Sequence, residues 1–328
     1  MTQKKQWDAI IIGGGAAGLS AAQALGRSLR RTLVLDAGSP RNRFAANVHN
    51  TLGHDGKTPA ELVAVGRAEA EQYGVEFRTG TVQTVTDIEG GLRVTFAPST
   101  GGADCDEASA NNAVETFETR ALIVATGVRD ILPDIAGLAD YWGRCVLHCP
   151  YCHGWEVRGR RLGVIADSPA SLGKAKMLRQ WSDDLTIFSA GMGDIDEATA
   201  RGFAARNVRL VPSPVAEVQG DGTQMTAIVT ADGQSYPIDA VFAMGAMHPI
   251  DEFLSELQLT REAGMWGSFI ATDAMGQTSH PRIWAVGNVV DPVATVPVVM
   301  GSGAMTGAIA NMVLINEDYE QAVQHAGA

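Results

Sequence analysis

Apolar positions in this chain fall twice into the same order: a short continuous run, a turn, a longer mixed stretch, and a second short run. The first copy covers residues 9–12, a glycine turn, a stretch to about Leu29, and residues 32–35. The second covers 162–166, the turn "DSPAS", a stretch to about Trp181, and 185–188. Short apolar runs bounded by turn residues read as strands buried on both faces, and the stretch between them as a helix. Each half therefore predicts strand–helix–strand. Between the halves, β-branched runs at 81–86, 92–96 and 121–125 predict a sheet with hairpins. The segment 97–113, "APSTGGADCDEASANNA", is low in complexity and reads as a solvated hairpin tip in which Cys105 is idle.

A second apolar stretch, 289–315, is long enough to suggest a membrane span. Asp291, Pro292, Pro297 and Asn311 interrupt it, and the expectation is a buried loop followed by a core helix. The length of 328 residues with 45% apolar content suits about two domains. A net charge of −12 with no basic run excludes nucleic acid and anionic membrane as expected partners, since both need a cationic footprint. The N-terminus leads into the glycine turn through too short an apolar stretch for a signal peptide, so the expected location is cytoplasmic.

Candidate chemistry begins at that turn. Gly13, Gly15 and Gly18 spell G-x-G-x-x-G directly after a strand and at the start of a helix. There, backbone N–H groups can meet a pyrophosphate with no side chain in the way. Asp36 closes the next strand, where a carboxylate can accept from ribose hydroxyls. Strand, glycines, helix, strand and acid fall in order, which predicts dinucleotide binding.

Cys149-Pro150-Tyr151-Cys152 has the spacing of a local redox disulfide, with histidines on either side to lower a thiol pKa. Two other readings exist. Cys149, Cys152 and His153 spell the C-x-x-C-H of c-type haem attachment. Cys145, His148, Cys149 and Cys152 form a set of zinc-ligand types, although structural zinc sites draw a second pair from a distant segment. Cys145 outside such a site reads as a buried inert thiol. His153 beside the pair is suited to moving protons near neutral pH.

Further on, "ALIVATGV" is a buried strand closing on Thr126-Gly127, and "RIWAVGNVVDP" is another, ending in Gly287-Asn288. With the paired cysteines ahead of the second module, the chain resembles the low-molecular-weight thioredoxin reductases over nearly its whole length. The resemblance implies an α/β fold of two dinucleotide-binding, Rossmann-like domains. An FAD domain would be built from 1–128 and 245–328, and an inserted domain, 129–244, would carry the redox cysteines. It also implies FAD held by Gly13, Gly15, Gly18, Asp36, Asn50, Thr126, Gly127, Gly287 and Asn288, with Asn288 where the family has an aspartate. Cys149 would exchange with a thiol or disulfide substrate, a small molecule or a thioredoxin-like protein, and Cys152 would face the flavin. His153 replaces the family's aspartate after the second cysteine. A homodimer is implied as well.

One departure stands out. Where the family places G-x-G-x-x-A to bind NADPH, this chain has Ala166, Ser168 and Ser171, with Asp167 among them. Where the family places arginines for the 2′-phosphate, "SAGMGDID" offers two acids. Charge-assisted hydrogen bonds are each worth about 1.5–3 kcal/mol. Losing two arginines therefore costs about 3–6 kcal/mol, roughly a hundredfold to ten-thousandfold in affinity. The expectation is a FAD-dependent dithiol–disulfide oxidoreductase not driven by NADPH, with oxygen favoured as second electron partner; a ferredoxin-linked or NADPH-dependent thioredoxin reductase is the alternative. A ferredoxin, being acidic, would need a positive patch such as Arg158, Arg160 and Arg161, or Arg27, Arg30 and Arg31. A non-catalytic flavoprotein or metal-binding module is the alternative of another class.

Overall fold

A computed structural model describes residues 6–99 and 113–326; Cys105 and most of the low-complexity tip lie outside the described residues. The chain forms two compact units. The first comprises Met1–Arg43, Pro59–Arg129 and Met247–Ala328, and the second Phe44–Thr58 and Asp130–Ala246. The segment Phe44–Thr58 is a departure from the sequence-based boundaries, which place it in the first domain with the rest of 1–128.

In the first unit the strand Trp7–Ile12 lies parallel to Thr32–Asp36 on one side and to Glu115–Val124 on the other. Ile283–Ala285 extends the sheet beyond Glu115–Val124, again in parallel. The strand Glu76–Ile88 serves two partners. Its first residues pair in parallel with Leu33 to Asp36, and the remainder runs antiparallel to Gly91–Pro98. Gly80 sits at the changeover with φ +153°, where a Cβ would stand 2.3 Å from the Ala97 carbonyl oxygen. Side-chain alternation divides the core. Ile10 and Ile12 pack into one apolar cluster with Leu33, Leu35 and Phe96, while Ala9 and Ile11 pack into another with Val34, Leu25 and Ala310. Both faces of the central strand are thus covered, which is why its sequence reads as an unbroken apolar run.

The helix Ala16–Arg27 is pressed against the long helix Val296–Ala326. This is the stretch that resembles a membrane span, and it is long and apolar enough to cross a bilayer by length and composition. Here it buries Val299, Gly303, Thr306, Gly307, Ala310 and Leu314. Close approach depends on missing side chains: a Cβ on Gly303 would lie 2.2 Å from the Ala17 carbonyl oxygen, and one on Gly307 2.7 Å from that of Ala21. The far end of the helix is tied by charge. Glu317 and Asp318 meet Arg120 at 3.1 and 2.7 Å, Asp318 also meets Arg30 at 2.8 Å, and Glu317 meets Arg282 at 2.8 Å.

The second unit has a parallel five-stranded sheet in the order Arg209–Val211, Leu185–Phe188, Leu162–Ile165, Ala240–Phe242, Val146–Leu147. A three-stranded antiparallel sheet, Val215–Gly220, Met225–Thr230 and Ser235–Pro237, accompanies it.

The helix contact generates a paired prediction. Gly303→Ala should wedge the two helices apart and lower stability by about 1–3 kcal/mol, as overpacking does. Gly301→Ala, where none of the described residues lies within 4 Å of the added carbon, should instead stabilise by about 0.5–1 kcal/mol through helix propensity. Urea unfolding midpoints measure both; equal shifts would show that the Gly303 contact does not hold the helix.

Candidate active site

The first glycine turn is shaped by backbone contacts. Gly13 has φ +107°, and a Cβ there would lie 2.4 Å from the Ala125 carbonyl oxygen; one on Gly18 would lie 1.9 Å from the Gly13 carbonyl oxygen. Only glycine permits this crossing of strand, turn and helix. Gly15 caps the helix Ala16–Arg27 in extended conformation, without a side-chain cap and without an acidic residue in the first turn. Among the described residues, nothing lies within 4 Å of the position a Gly15 Cβ would take. The Asp36 carboxylate accepts the Gly14 N–H at 2.9 Å, which fixes the acid at the mouth of the turn.

Thr126 and Gly127 are secured from the next segment: Thr126 Oγ1 donates to the Ile250 carbonyl at 2.6 Å and Ile250 N–H donates to Gly127 at 3.0 Å. Gly287, with φ +81°, abuts Ala17, and Asn288 Nδ2 donates to the carbonyls of Asp291 and Ala294 at 2.9 and 3.0 Å. The first unit therefore gathers Gly13, Gly15, Gly18, Asp36, Thr126, Gly127, Gly287 and Asn288. An uncapped helix N-terminus, open space at Gly15 and a fixed carboxylate fit a dinucleotide's pyrophosphate and ribose. Asn50 lies in the segment that clusters with the second unit. It adopts φ +58°, and its N–H is held by Asp55 at 2.8 Å. Its assignment to the flavin rests on the resemblance alone.

The second turn has a different filling. Ser168 is the N-cap of the helix Pro169–Leu178, with Pro169 in the first turn, yet its side chain makes no capping bond. It donates instead to Asp167 at 3.1 Å, and the fully buried Ser171 donates to the same carboxylate oxygen at 2.8 Å. An acid held by two hydroxyls stands beside the helix start. Beyond Leu185–Phe188, Asp196 caps the helix Glu197–Ala204, accepting from Thr199 N–H at 2.9 Å and Thr199 Oγ1 at 2.6 Å. The acids of "SAGMGDID" thus include a structural cap.

The cysteine pair follows the edge strand Val146–Leu147. Cys149 is the N-cap of the short helix Pro150–His153, and its sulfur accepts the Cys152 N–H at 3.3 Å. The hydrogen bond from the Cys152 side chain, followed by backbone N–H groups and the charge of Lys174, overcomes burial and brings Cys149 down to about 6. Cys149 is thus the thiol of the pair whose surroundings favour the thiolate. Burial holds His153 below its ordinary value, with Glu156 opposing and His49 reinforcing the shift, so the imidazole is neutral and can accept a proton. Cys145 is buried in an apolar cluster with Leu138 and Val146, its sulfur 3.7 Å from Gln224 Oε1. Among the described residues no three His, Cys, Asp or Glu side chains converge to hold a metal.

Sequence reasoning did not single out Lys174, His49 or Glu156. Lys174 adjoins the buried stripe of Ser171, Ala175 and Leu178, a helical-spacing signal that was legible. His49 lies 3.4 Å from Glu156 and 3.5 Å from Asp55, and nothing local in the sequence announces the first of these contacts.

Comparison with known proteins agrees with this geometry. Residues 7–303 match the family model of pyridine nucleotide-disulphide oxidoreductases. The chain is 33% identical over 318 residues to thioredoxin reductase tcpT of Claviceps purpurea, covering 94% of each. It superposes on the crystal structure of HlmI with a TM-score of 0.86 at 37% identity, covering 100% of this chain and 98% of that one. An oxidoreductase from Agrobacterium tumefaciens gives a TM-score of 0.84 at 37% identity, with 95% and 99% covered. The chain belongs to the pyridine nucleotide-disulphide oxidoreductases and, within them, is a FAD-dependent disulfide oxidoreductase of the thioredoxin reductase family.

Proposed function

We propose that the enzyme is a dithiol oxidase that takes electrons from a substrate dithiol through Cys149 and Cys152 and passes them to oxygen, without NADPH as reductant. The observation that carries this reading is the second turn, where Asp167, fixed by Ser168 and Ser171, stands where a nucleotide phosphate would approach. Asp196 caps a helix in the segment where the family carries arginines. Two acids repel a polyanion, and no glycine opens the turn.

The chemistry follows from the thiol geometry. A substrate thiolate attacks the Cys149 sulfur of the oxidised pair, the Cys149–Cys152 bond breaks, and Cys152 leaves as thiolate. The substrate's second thiol then attacks its own sulfur in the mixed disulfide and releases Cys149, whose low pKa makes it a good leaving group. Neutral His153 accepts a proton from an incoming thiol. Bound FAD supplies the two-electron acceptor that returns the pair to the disulfide. Tyr151 and Trp155, both exposed beside the pair, offer apolar surface to a small-molecule dithiol.

The arginines that would receive a ferredoxin are largely engaged within the chain. Arg27 lies over the Tyr73 ring, Arg31 over Trp7 and Arg158 over Trp155, while Arg30 pairs with Asp318 and Arg161 with Asp239. This supports oxygen over an acidic protein carrier. For the implied homodimer, Val298, Met305, Met312 and Tyr319 are exposed at intervals of seven along Val296–Ala326, a self-complementary apolar stripe.

Three outcomes are expected. In anaerobic stopped flow, dithiothreitol should bleach the bound flavin quickly while millimolar NADPH does so slowly, and admitted oxygen should restore the colour with formation of peroxide. Saturable bleaching by NADPH at the dithiol's rate would instead establish an ordinary thioredoxin reductase, and slow return in oxygen would favour a protein carrier. His153→Ala should slow dithiol turnover and remove a pH–rate inflection below the ordinary histidine value of about 6.5, with activity rising as the imidazole loses its proton; an unchanged profile would exclude the base role. Sedimentation should find a dimer that Met312→Glu shifts toward monomer, and a monomeric wild type would refute the stripe as an interface.

A further inference from the structure

The exchange chemistry leaves one buried charged group without a task. Lys174, in the helix Pro169–Leu178, has its Nζ sealed from solvent and without a hydrogen-bond partner among the described residues. An ammonium so placed is retained against opposite charge or loses its proton. The anions that act on it are Cys149 and Asp167. Asp167 is already shared, its Oδ1 accepting from both Ser168 and Ser171. Cys149 stands at the start of Pro150–His153, a helix packed on the Lys174 helix. Tyr151 meets Trp181 edge-on with ring centroids 6.0 Å apart, and a Cβ on Gly154 would lie 2.8 Å from the Trp181 ring. These contacts hold the cysteine helix against the helix that carries Lys174.

We propose that Lys174 is a positioning residue whose buried ammonium holds the Cys149 sulfur as thiolate and whose proton is given up when that sulfur enters a disulfide. The proposal rests on Cys149 being the exchanging thiol. Burial lowers Lys174 to about 8, opposed first by Cys149 and then by Asp167, while Lys174 is the cation among the groups that lower Cys149. Such coupling is reciprocal: whatever the thiolate adds to the ammonium's stability, the ammonium returns to the thiolate.

Removing the thiolate by oxidation leaves a desolvated ammonium facing only a shared carboxylate, and it releases its proton to solvent and becomes the neutral amine. When the second substrate thiol attacks the mixed disulfide, a substrate disulfide forms, the Cys149–substrate bond breaks, and its electron pair returns to Cys149 as thiolate. The proton of the attacking thiol then has an acceptor in the Lys174 amine, whose affinity for it rises with the new negative charge. Besides Lys174, the groups that bear on Cys149 are the Cys152 thiol and the backbone N–H groups of Cys152 and Tyr151. Glu156 and His49 act on His153 instead.

The test is alkylation of the reduced, FAD-containing protein by iodoacetamide from pH 5 to 9, with the labelled peptide identified by mass spectrometry. Wild type should label Cys149 with an inflection near 6. K174M and K174Q should each move the inflection up by about one unit, making labelling at pH 6 about three- to tenfold slower while rates at pH 9 agree, and K174R should restore the wild-type profile. Label on Cys149 with the same profile in every variant would overturn the proposal alone. Label on Cys152 would overturn the assignment of roles and the proposal with it.

Discussion

Backbone-to-backbone contact around one helix is the constraint from which the first unit is built. Ala16–Arg27 is approached where a side chain would collide: by the turn at Gly13 and Gly18, by Gly287, and along its flank by Gly303 and Gly307. These contacts bring the helix N-terminus to the carboxyl edge of the sheet with its first-turn N–H groups uncapped by any side chain. They also hold the strand ends carrying Asp36 and Thr126 within reach of the same turn. A cofactor whose phosphates need several aligned donors is thus met by a rigid frame, since little in that frame has rotamer freedom to lose.

The second unit repeats the strand–turn–helix plan and reverses its electrostatics. In the first turn a carboxylate stands back from the helix end and accepts one backbone N–H; in the second, a carboxylate and two hydroxyls fill the end itself. The fold tolerates the exchange because the helix Pro169–Leu178 is held by its apolar face, through Ala175 and Leu178, and by the fully buried Ser171. Ligand contact is not what keeps it in place. The same helix is packed on its neighbour, the cysteine helix Pro150–His153.

Much of this was legible in the sequence because its signals are local. Both strand–helix–strand modules, the glycine fingerprint and the spacing of the thiols lie within short windows, and each element formed within a few residues of its expected place. Relations between distant segments were not legible. The grouping of Phe44–Thr58 with the second unit depends on contacts such as that of Phe44 with Gly143, and the His49–Glu156 approach joins residues over a hundred positions apart. Ser168 shows a subtler limit: its position as N-cap is a local property, but the use of its hydroxyl was decided by competition with Asp167 and Ser171. The membrane-like stretch shows another, since the composition of Val296–Ala326 does not say that glycines on one side fit it to a partner helix.

The burial of Cys145 has a consequence for covalent fidelity. Any two of the three described thiols could be written as a bridge on paper, and repeated cycling would give a mixture of isomers if all three competed. Cys145 is sealed among Leu138, Val146 and Val241, with its sulfur beside Gln224 and the Thr223 carbonyl. Attack on it requires the core to open. Cys145 is kept from exchange by access rather than by chemistry, which leaves Cys149 and Cys152 as the described thiols open to it.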